Sequence, residues 1–118
     1  MRILVIEDEL NYREVICDYL KSAGHTVYQA RNGKQALNQL TTIKIDIIVS
    51  DIVMPEIEGI ELIMRLRQSK IPIIAMSGLS KEAFVQNVLG ALGISEYMQK
   101  PFSLKTLAQQ IDGFEKKR

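Results

Sequence analysis

The 118-residue sequence has one cysteine, no tryptophan, three prolines, four tyrosines and three phenylalanines. A single cysteine excludes a disulfide framework and an all-cysteine metal site, and it fits a reducing compartment. With 15 Lys and Arg against 14 Asp and Glu, a strong excess of either sign of charge is also missing. A net charge of +1 gives no reason to expect nucleic acid or an anionic membrane as the main partner. Long apolar runs are absent too. The first, Ile3–Ile6, stops after four residues at Glu7 and Asp8, too short for a signal segment and far short of a membrane span. The expectation is a soluble, cytoplasmic chain. No G-x-G-x-x-G or G-x-x-x-x-G-K-[ST] occurs, so dinucleotide and nucleoside triphosphate sites lack their phosphate loops.

What is present is an ordinary globular composition, 47% apolar and 25% charged, which excludes disorder, coiled coil and collagen. The length fits one domain, 1–118, able to bury a core without a disulfide or metal staple. Two kinds of segment alternate along it. Ile3–Ile6, Ile45–Val49 and Ile71–Met76 are short runs rich in β-branched residues, the pattern of strands buried on both faces. Thr26–Ala30 and Ile94–Met98 are weaker strands, the second placed mainly by its position. Between them, Tyr12, Val15, Ile16, Tyr19 and Leu20 make a helix-spaced stripe closed by Gly24, and Leu104, Leu107, Ala108 and Ile111 make another behind Ser103 as N-cap. Further helices are expected over 33–43, after the Asn32-Gly33 turn, and over 59–69 and 81–92, the last weakened by Gly90. Glu115–Arg118 reads as a solvated helix end.

This is a (βα)5 pattern. Short connections imply an α/β fold with a parallel sheet, right-handed crossovers and helices on both faces. Five strands suit the doubly wound order 2-1-3-4-5 of flavodoxin-like three-layer sandwiches. That order puts the first and last helices on one face and the others on the opposite face. Ligands bind such sheets beyond the carboxyl ends of the strands, where the order reverses.

The residues expected there are acids. Glu7 and Asp8 follow the first strand and Asp51 ends the third. Three carboxylates in one crevice repel unless a cation lies among them, and hard oxygen ligands suit Mg2+ better than zinc. An acid just before a helix, such as Asp8, can equally be an N-cap. The fourth strand ends in Ser77-Gly78 and the fifth in Lys100-Pro101-Phe102. Acids for a metal, one hydroxyl and one ammonium suit a phosphoryl group carried on a carboxylate.

At this point the residues resemble a known family. Ile3-Leu4-Val5-Ile6-Glu7-Asp8-Glu9, Asp51-Ile52-Val53-Met54-Pro55 with Gly59, Met76-Ser77-Gly78, and Tyr97-Met98-Gln99-Lys100-Pro101-Phe102 are similar to the four signature blocks of bacterial response-regulator receiver domains of the chemotaxis-regulator type. The resemblance runs from Met1 to about Gly113. It implies that Asp51 is the phosphoacceptor, taking a phosphoryl group from the phosphohistidine of a sensor histidine kinase or a histidine phosphotransfer protein. It implies Mg2+ held by Asp8 and Asp51 through carboxylates, by Val53 through its carbonyl and by Glu7 through water. Lys100 and Ser77 would bind phosphoryl oxygens, and Ser77 and Tyr97 would form the switch, the Tyr97 ring turning inward when Ser77 moves. The charge argument alone does not choose Asp51 over Asp8. The Glu–Asp pair departs from the commoner Asp–Asp, and Ile94 stands where a small residue is usual.

The resemblance also implies a cis Lys100-Pro101 bond and an output surface formed by the helix over 81–92, the fifth strand and the last helix. Phe84, Val88 and Leu92 form an apolar stripe there, fit for a downstream effector or a second copy. The chain would be no enzyme beyond catalysing its own phosphorylation and dephosphorylation. Val53 and Leu79 offer no side-chain hydrogen bond to a hydrolytic water, which suggests a long-lived phosphoryl group. Alternatives on the same fold are a flavodoxin-like cofactor binder, for which Glu7-Asp8-Glu9 would repel phosphate, and a phosphatase, which would want an acid at Val53. A receiver-like chain that only binds a partner would not need the full residue set. Cys17, read as lying off the Tyr12–Leu20 stripe, is a structural or surface thiol, and His25 is read as solvent-facing at the other end of the sheet.

Overall fold

The computed structural model describes residues 1–52, 58–78, 90, 94 and 96–117. Five strands form one parallel sheet: β1 (Arg2–Ile6), β2 (Thr26–Ala30), β3 (Ile47–Asp51), β4 (Ile73–Ser77) and β5 (Glu96–Gln99). Their order is β2-β1-β3-β4-β5, the order expected. β1, β3 and β4 are apolar on both faces and almost wholly buried, which places them in the middle of the sheet. Among the described residues the helices are α1 (Leu10–Ser22), α2 (Gly33–Leu40), α3 (Glu58–Arg67) and α4 (Leu104–Lys116).

The sheet's alternation splits the core into two layers. Leu4, Ile6, Ile48 and Ala75 point to one side and meet Ala36 of α2 and Leu62 and Leu66 of α3. Ile3, Val5, Ile47, Val49, Ile74 and Met76 point to the other and meet Ile16 and Leu20 of α1 and Leu107 and Ile111 of α4. The first and last helices therefore share a face, as right-handed crossovers require. The helix expected over 81–92 lies outside the described residues apart from Gly90, which is helical.

Several expectations are corrected. Cys17, read as off the stripe, is fully buried between α1 and the sheet, the structural rather than the surface thiol of the two readings, because the stripe of α1 is wide enough to include adjacent positions 16 and 17. His25 is half-buried, its Nδ1 lying 3.1 Å from the N-terminal amine. Ser103 occupies the N-cap of α4, yet its side chain makes no capping hydrogen bond. β3 begins at Ile47 because Asp46 closes the preceding turn, its amide donating to the Arg2 carbonyl and its Oδ2 accepting from the Arg2 amide. α2 ends at Leu40, where the Thr41 hydroxyl takes the Asn38 carbonyl. Gly24 does close α1 in the left-handed region, at φ 97°. The last helix runs through Lys116, and residues 115–117 are exposed, as expected of a solvated helix end.

Candidate functional site

Parallel strands bring the chain out at one end of the sheet, and there the site assembles. β1 ends at Ile6, opposite Ser50 of β3, so Glu7 emerges beside Asp51. The Glu7 amide still donates to the Ala30 carbonyl of β2 at 3.0 Å, and Arg13 Nη1 donates to the Glu7 carbonyl at 2.8 Å. Both bonds fix the Glu7 backbone while its side chain turns inward. Asp51 is registered against Met76 of β4, and the Ile52 amide continues that ladder to the Met76 carbonyl at 3.0 Å. Ser77 ends β4 fully buried, and its carbonyl accepts from the Lys100 amide at 2.7 Å. The Lys100–Pro101 bond is cis.

Three carboxylates meet as expected: Glu7, Asp8 and Asp51 each offer an oxygen within 4.8 Å of the other two. Glu7 and Asp51 are 1% and 4% exposed, whereas Asp8 faces solvent. The helix-capping alternative for Asp8 is not realised. Glu9 caps α1 instead, with Oε1 accepting from the Asn11 amide at 3.1 Å and Oε2 from the Tyr12 amide at 2.6 Å. Asp8 is thereby left to the cluster.

Lys100 reaches the same point from β5. Its ammonium donates to Glu7 Oε1 at 2.8 Å, Glu7 Oε2 at 3.0 Å and Asp51 Oδ2 at 2.8 Å. Burial, reinforced by the adjacent Asp51, pushes the Glu7 carboxyl up to about 8 against the opposing pull of Lys100. For Lys100, burial alone would lower the ammonium's value, but the hydrogen bonds to Asp51 and Glu7 outweigh it and hold the value above its ordinary one. One ammonium does not offset this much carboxylate. The all-oxygen donor set suits a site for a divalent cation.

Tyr97 lies on β5 opposite Ala75, and its ring packs into the layer shared with α2 and α3. Its hydroxyl is buried with no hydrogen-bond partner among the described residues. Val53 and Leu79 lie outside the described residues, as do Phe84, Val88 and Leu92. One residue at the site escaped the sequence reading. Tyr12, taken only as part of the α1 stripe, lays its ring face 4.5 Å from the Lys100 ammonium. Its place one turn after the acid pair was the signal available.

The geometry just described defines a parallel α/β domain with an acid cluster and one lysine at its switch point, and comparison with known proteins agrees. Residues 3–112 match the family model for the response regulator receiver domain. The chain belongs to that family, the receiver domains of two-component systems. It is 37% identical over 111 residues to the alkaline phosphatase synthesis transcriptional regulatory protein PhoP of Bacillus subtilis, covering 93% of this chain and 46% of that one. It is 39% identical over 113 residues to the sensor kinase CckA of Brucella abortus, covering 92% of this chain and 12% of that one. The chain thus spans under half the length of these curated relatives. Among solved structures, the receiver domain of a Francisella response regulator superposes with a TM-score of 0.87 at 30% identity, covering 98% of this chain and 97% of that one. The response regulator TrrA of Thermotoga maritima, in complex with Mg2+–BeF, superposes at 0.83 with 30% identity, covering 96% and 97%. The flavodoxin-like cofactor binder is set aside by this membership. No described helix is long and apolar enough to cross a membrane.

Proposed function

We propose that Asp51 accepts a phosphoryl group from the phosphohistidine of a sensor histidine kinase or a histidine phosphotransfer protein, with Mg2+ as the required ion. The observation that carries this reading is the convergence of Glu7, Asp8 and Asp51 on the Lys100 ammonium at one end of the sheet. Asp8, Asp51 and Glu7, with the Val53 carbonyl, would hold the ion. When bound, Mg2+ screens the acids from one another and neutralises charge on phosphoryl oxygens. Support comes from the similarity to TrrA, which was solved with Mg2+–BeF.

In this reading an Asp51 carboxylate oxygen attacks phosphorus. The new O–P bond forms as the P–N bond to the donor imidazole breaks, and the electron pair leaves with the ring nitrogen. Lys100 exchanges carboxylate oxygens for phosphoryl oxygens, and the Ser77 hydroxyl donates to another. Burial of Asp51 and Ser77 limits water around the reacting group. The chain catalyses only its own phosphorylation and dephosphorylation and turns over no separate substrate. Tyr97 transmits the change to β5, α4 and the segment over 81–92, where an effector protein or a second copy docks. The single, buried cysteine agrees with a cytoplasmic setting.

The test is labelling with acetyl phosphate and Mg2+. The parent should gain one acid-stable, base-labile phosphoryl group and Asp51→Asn should gain none, since the amide is no nucleophile. Labelling of Asp51→Asn at the parent's rate overturns the assignment.

A further inference from the structure

We infer that Tyr12 is a positioning residue for Lys100, holding the ammonium against its ring face while the ammonium changes hydrogen-bond partners. The inference rests on the reading of Asp51 as phosphoacceptor and adds a residue to that site.

The Lys100 ammonium carries three N–H donors. All three are spent on one side, two on Glu7 and one on Asp51, at 2.8–3.0 Å. The ring of Tyr12 lies 4.5 Å away, so a negative π face meets a cation with no donor to spare for it. The ring is itself held from two directions. It meets Phe102 in a T-shaped pair, centroids 6.0 Å apart and planes at 88°, an arrangement the ring quadrupole favours. Its backbone amide donates to the Glu9 carboxylate at 2.6 Å, which fixes the first turn of α1 beneath it. Lys100, ring and Phe102 form one stack that ties α1 to the loop between β5 and α4.

The stack matters because lysine is a point charge on a flexible four-carbon stem. A carboxylate or carbonyl on the other side of the ammonium would compete for its donors. An aromatic face attracts the charge without choosing a donor direction. The ammonium can therefore rotate its N–H groups from Glu7 and Asp51 towards a phosphoryl oxygen without leaving its place. The ring also covers the ammonium, whose side chain is only 18% exposed. The phenol hydroxyl has no part in this, which makes the proposal sharp: the ring face is required and the hydroxyl is not.

The test uses the full chain with acetyl phosphate and Mg2+, reading the initial rate of phosphoryl uptake. Tyr12→Phe should stay within about twofold of the parent, and Tyr12→Leu should fall about fivefold, as expected for loss of a partly desolvated cation–π contact. Phenylalanines carrying successively more fluorine at position 12 drain the ring face while keeping its shape and its place beside Phe102. Their rates should decline in step with fluorination, a trend that a packing role would not produce. As a readout apart from phosphorylation, the Lys100 side-chain protons should be shifted upfield by the ring in the parent and in Tyr12→Phe, and return to ordinary positions in Tyr12→Leu. A flat fluorine series, a Leu variant within about twofold of the parent, or unshifted Lys100 protons in the parent overturns the positioning role. If the parent takes no label, the phosphoacceptor reading falls and carries this role with it; if the parent is labelled and the series is flat, this role alone falls.

Discussion

At the carboxyl end of the sheet the charged groups are buried and crowded: Glu7 and Asp51 are 1% and 4% exposed, and Lys100 is packed between them and Tyr12. At the amino end of the same sheet, Arg2, Lys44, Arg67 and Lys70 stand in solvent. There the Arg2 amide donates to Asp46 Oδ2 at 2.7 Å, the Asp46 amide returns to the Arg2 carbonyl at 2.8 Å, and the Thr26 amide takes the Met1 carbonyl at 3.1 Å. The amino end satisfies its polar groups locally and leaves these four side-chain cations hydrated. The carboxyl end keeps acids desolvated against one another, a costly arrangement that persists where function requires it. One sheet carries both because its apolar middle, β1, β3 and β4, is stable enough to support the expensive end.

The largest effect should come from that shared middle. Leu107 is fully buried between α4 and the sheet, so Leu107→Ala should cost about 2–5 kcal/mol through lost burial and the cavity left behind. The loss should reach both ends together. Hydrogen exchange of the Arg2 amide at the amino end and of the Ile52 amide at the carboxyl end should speed by the same factor under globally unfolding conditions. If only one of them speeds, the ends are separate units and the contrast between them is not one of a single cooperative body.

A second test takes out the expensive group. The Glu7 carboxyl of the folded chain is pushed from its ordinary 4.5 up to about 8 by burial, with Asp51 adding to the shift. Between those values the folded chain holds a proton that the unfolded chain has already released. Stability of the metal-free protein should therefore fall as pH rises from 4.5 to about 8 and level off above it. Glu7→Gln keeps the shape without the charge, so it should flatten that decline and leave the variant the more stable protein at pH 8, near the parent's Glu7 value of about 8. Mg2+ binding must displace the same proton, so the parent's affinity for Mg2+ should rise with pH up to about 8. Thermal melts with and without Mg2+ across this range decide it. A parent whose metal-free stability rises over the same interval contradicts the crowding account.

Most of the carboxyl end was legible in the sequence, because buried strand runs fix the topology and topology fixes which residues share an edge. Glu7, Asp51, Ser77 and Lys100 were found that way without any contact being known. What was not legible depended on side-chain direction. Asp8 and Glu9 are adjacent acids before a helix, and only the extended backbone at Glu9, φ −82° and ψ 114°, makes it the cap and leaves Asp8 to the cluster. Tyr12 sits at a core-like helical spacing and does pack on the core layer, yet its ring face also meets Lys100, which spacing alone does not announce. At the amino end, His25 meets the chain's own N-terminal amine, a partner 24 residues away that no local pattern announces. Cys17, read as off the stripe, is buried because the buried stripe of α1 is wider than its most apolar residues suggest.

The smallest effect belongs to the amino end and separates stability from chemistry. Asp46 exchanges two hydrogen bonds with the backbone of Arg2, one of them through its side chain at 2.7 Å. Asp46→Ala removes the side-chain bond and leaves the Arg2 amide to water. Because that contact is exposed, the amide is rehydrated rather than orphaned, and the cost should be about 1 kcal/mol, near the mean for a single hydrogen bond. The whole length of β1 and β3 separates Asp46 from Asp51, and the central pairs Ile3–Ile47 to Ile6–Ser50 keep their register without it. Phosphoryl uptake from acetyl phosphate should therefore match the parent at a temperature where both are folded. The measurement is a denaturant titration beside a labelling time course on the same preparation. A variant that loses labelling in proportion to its stability would mean that the amino end tunes the site after all, and the division of labour drawn here would have to be given up.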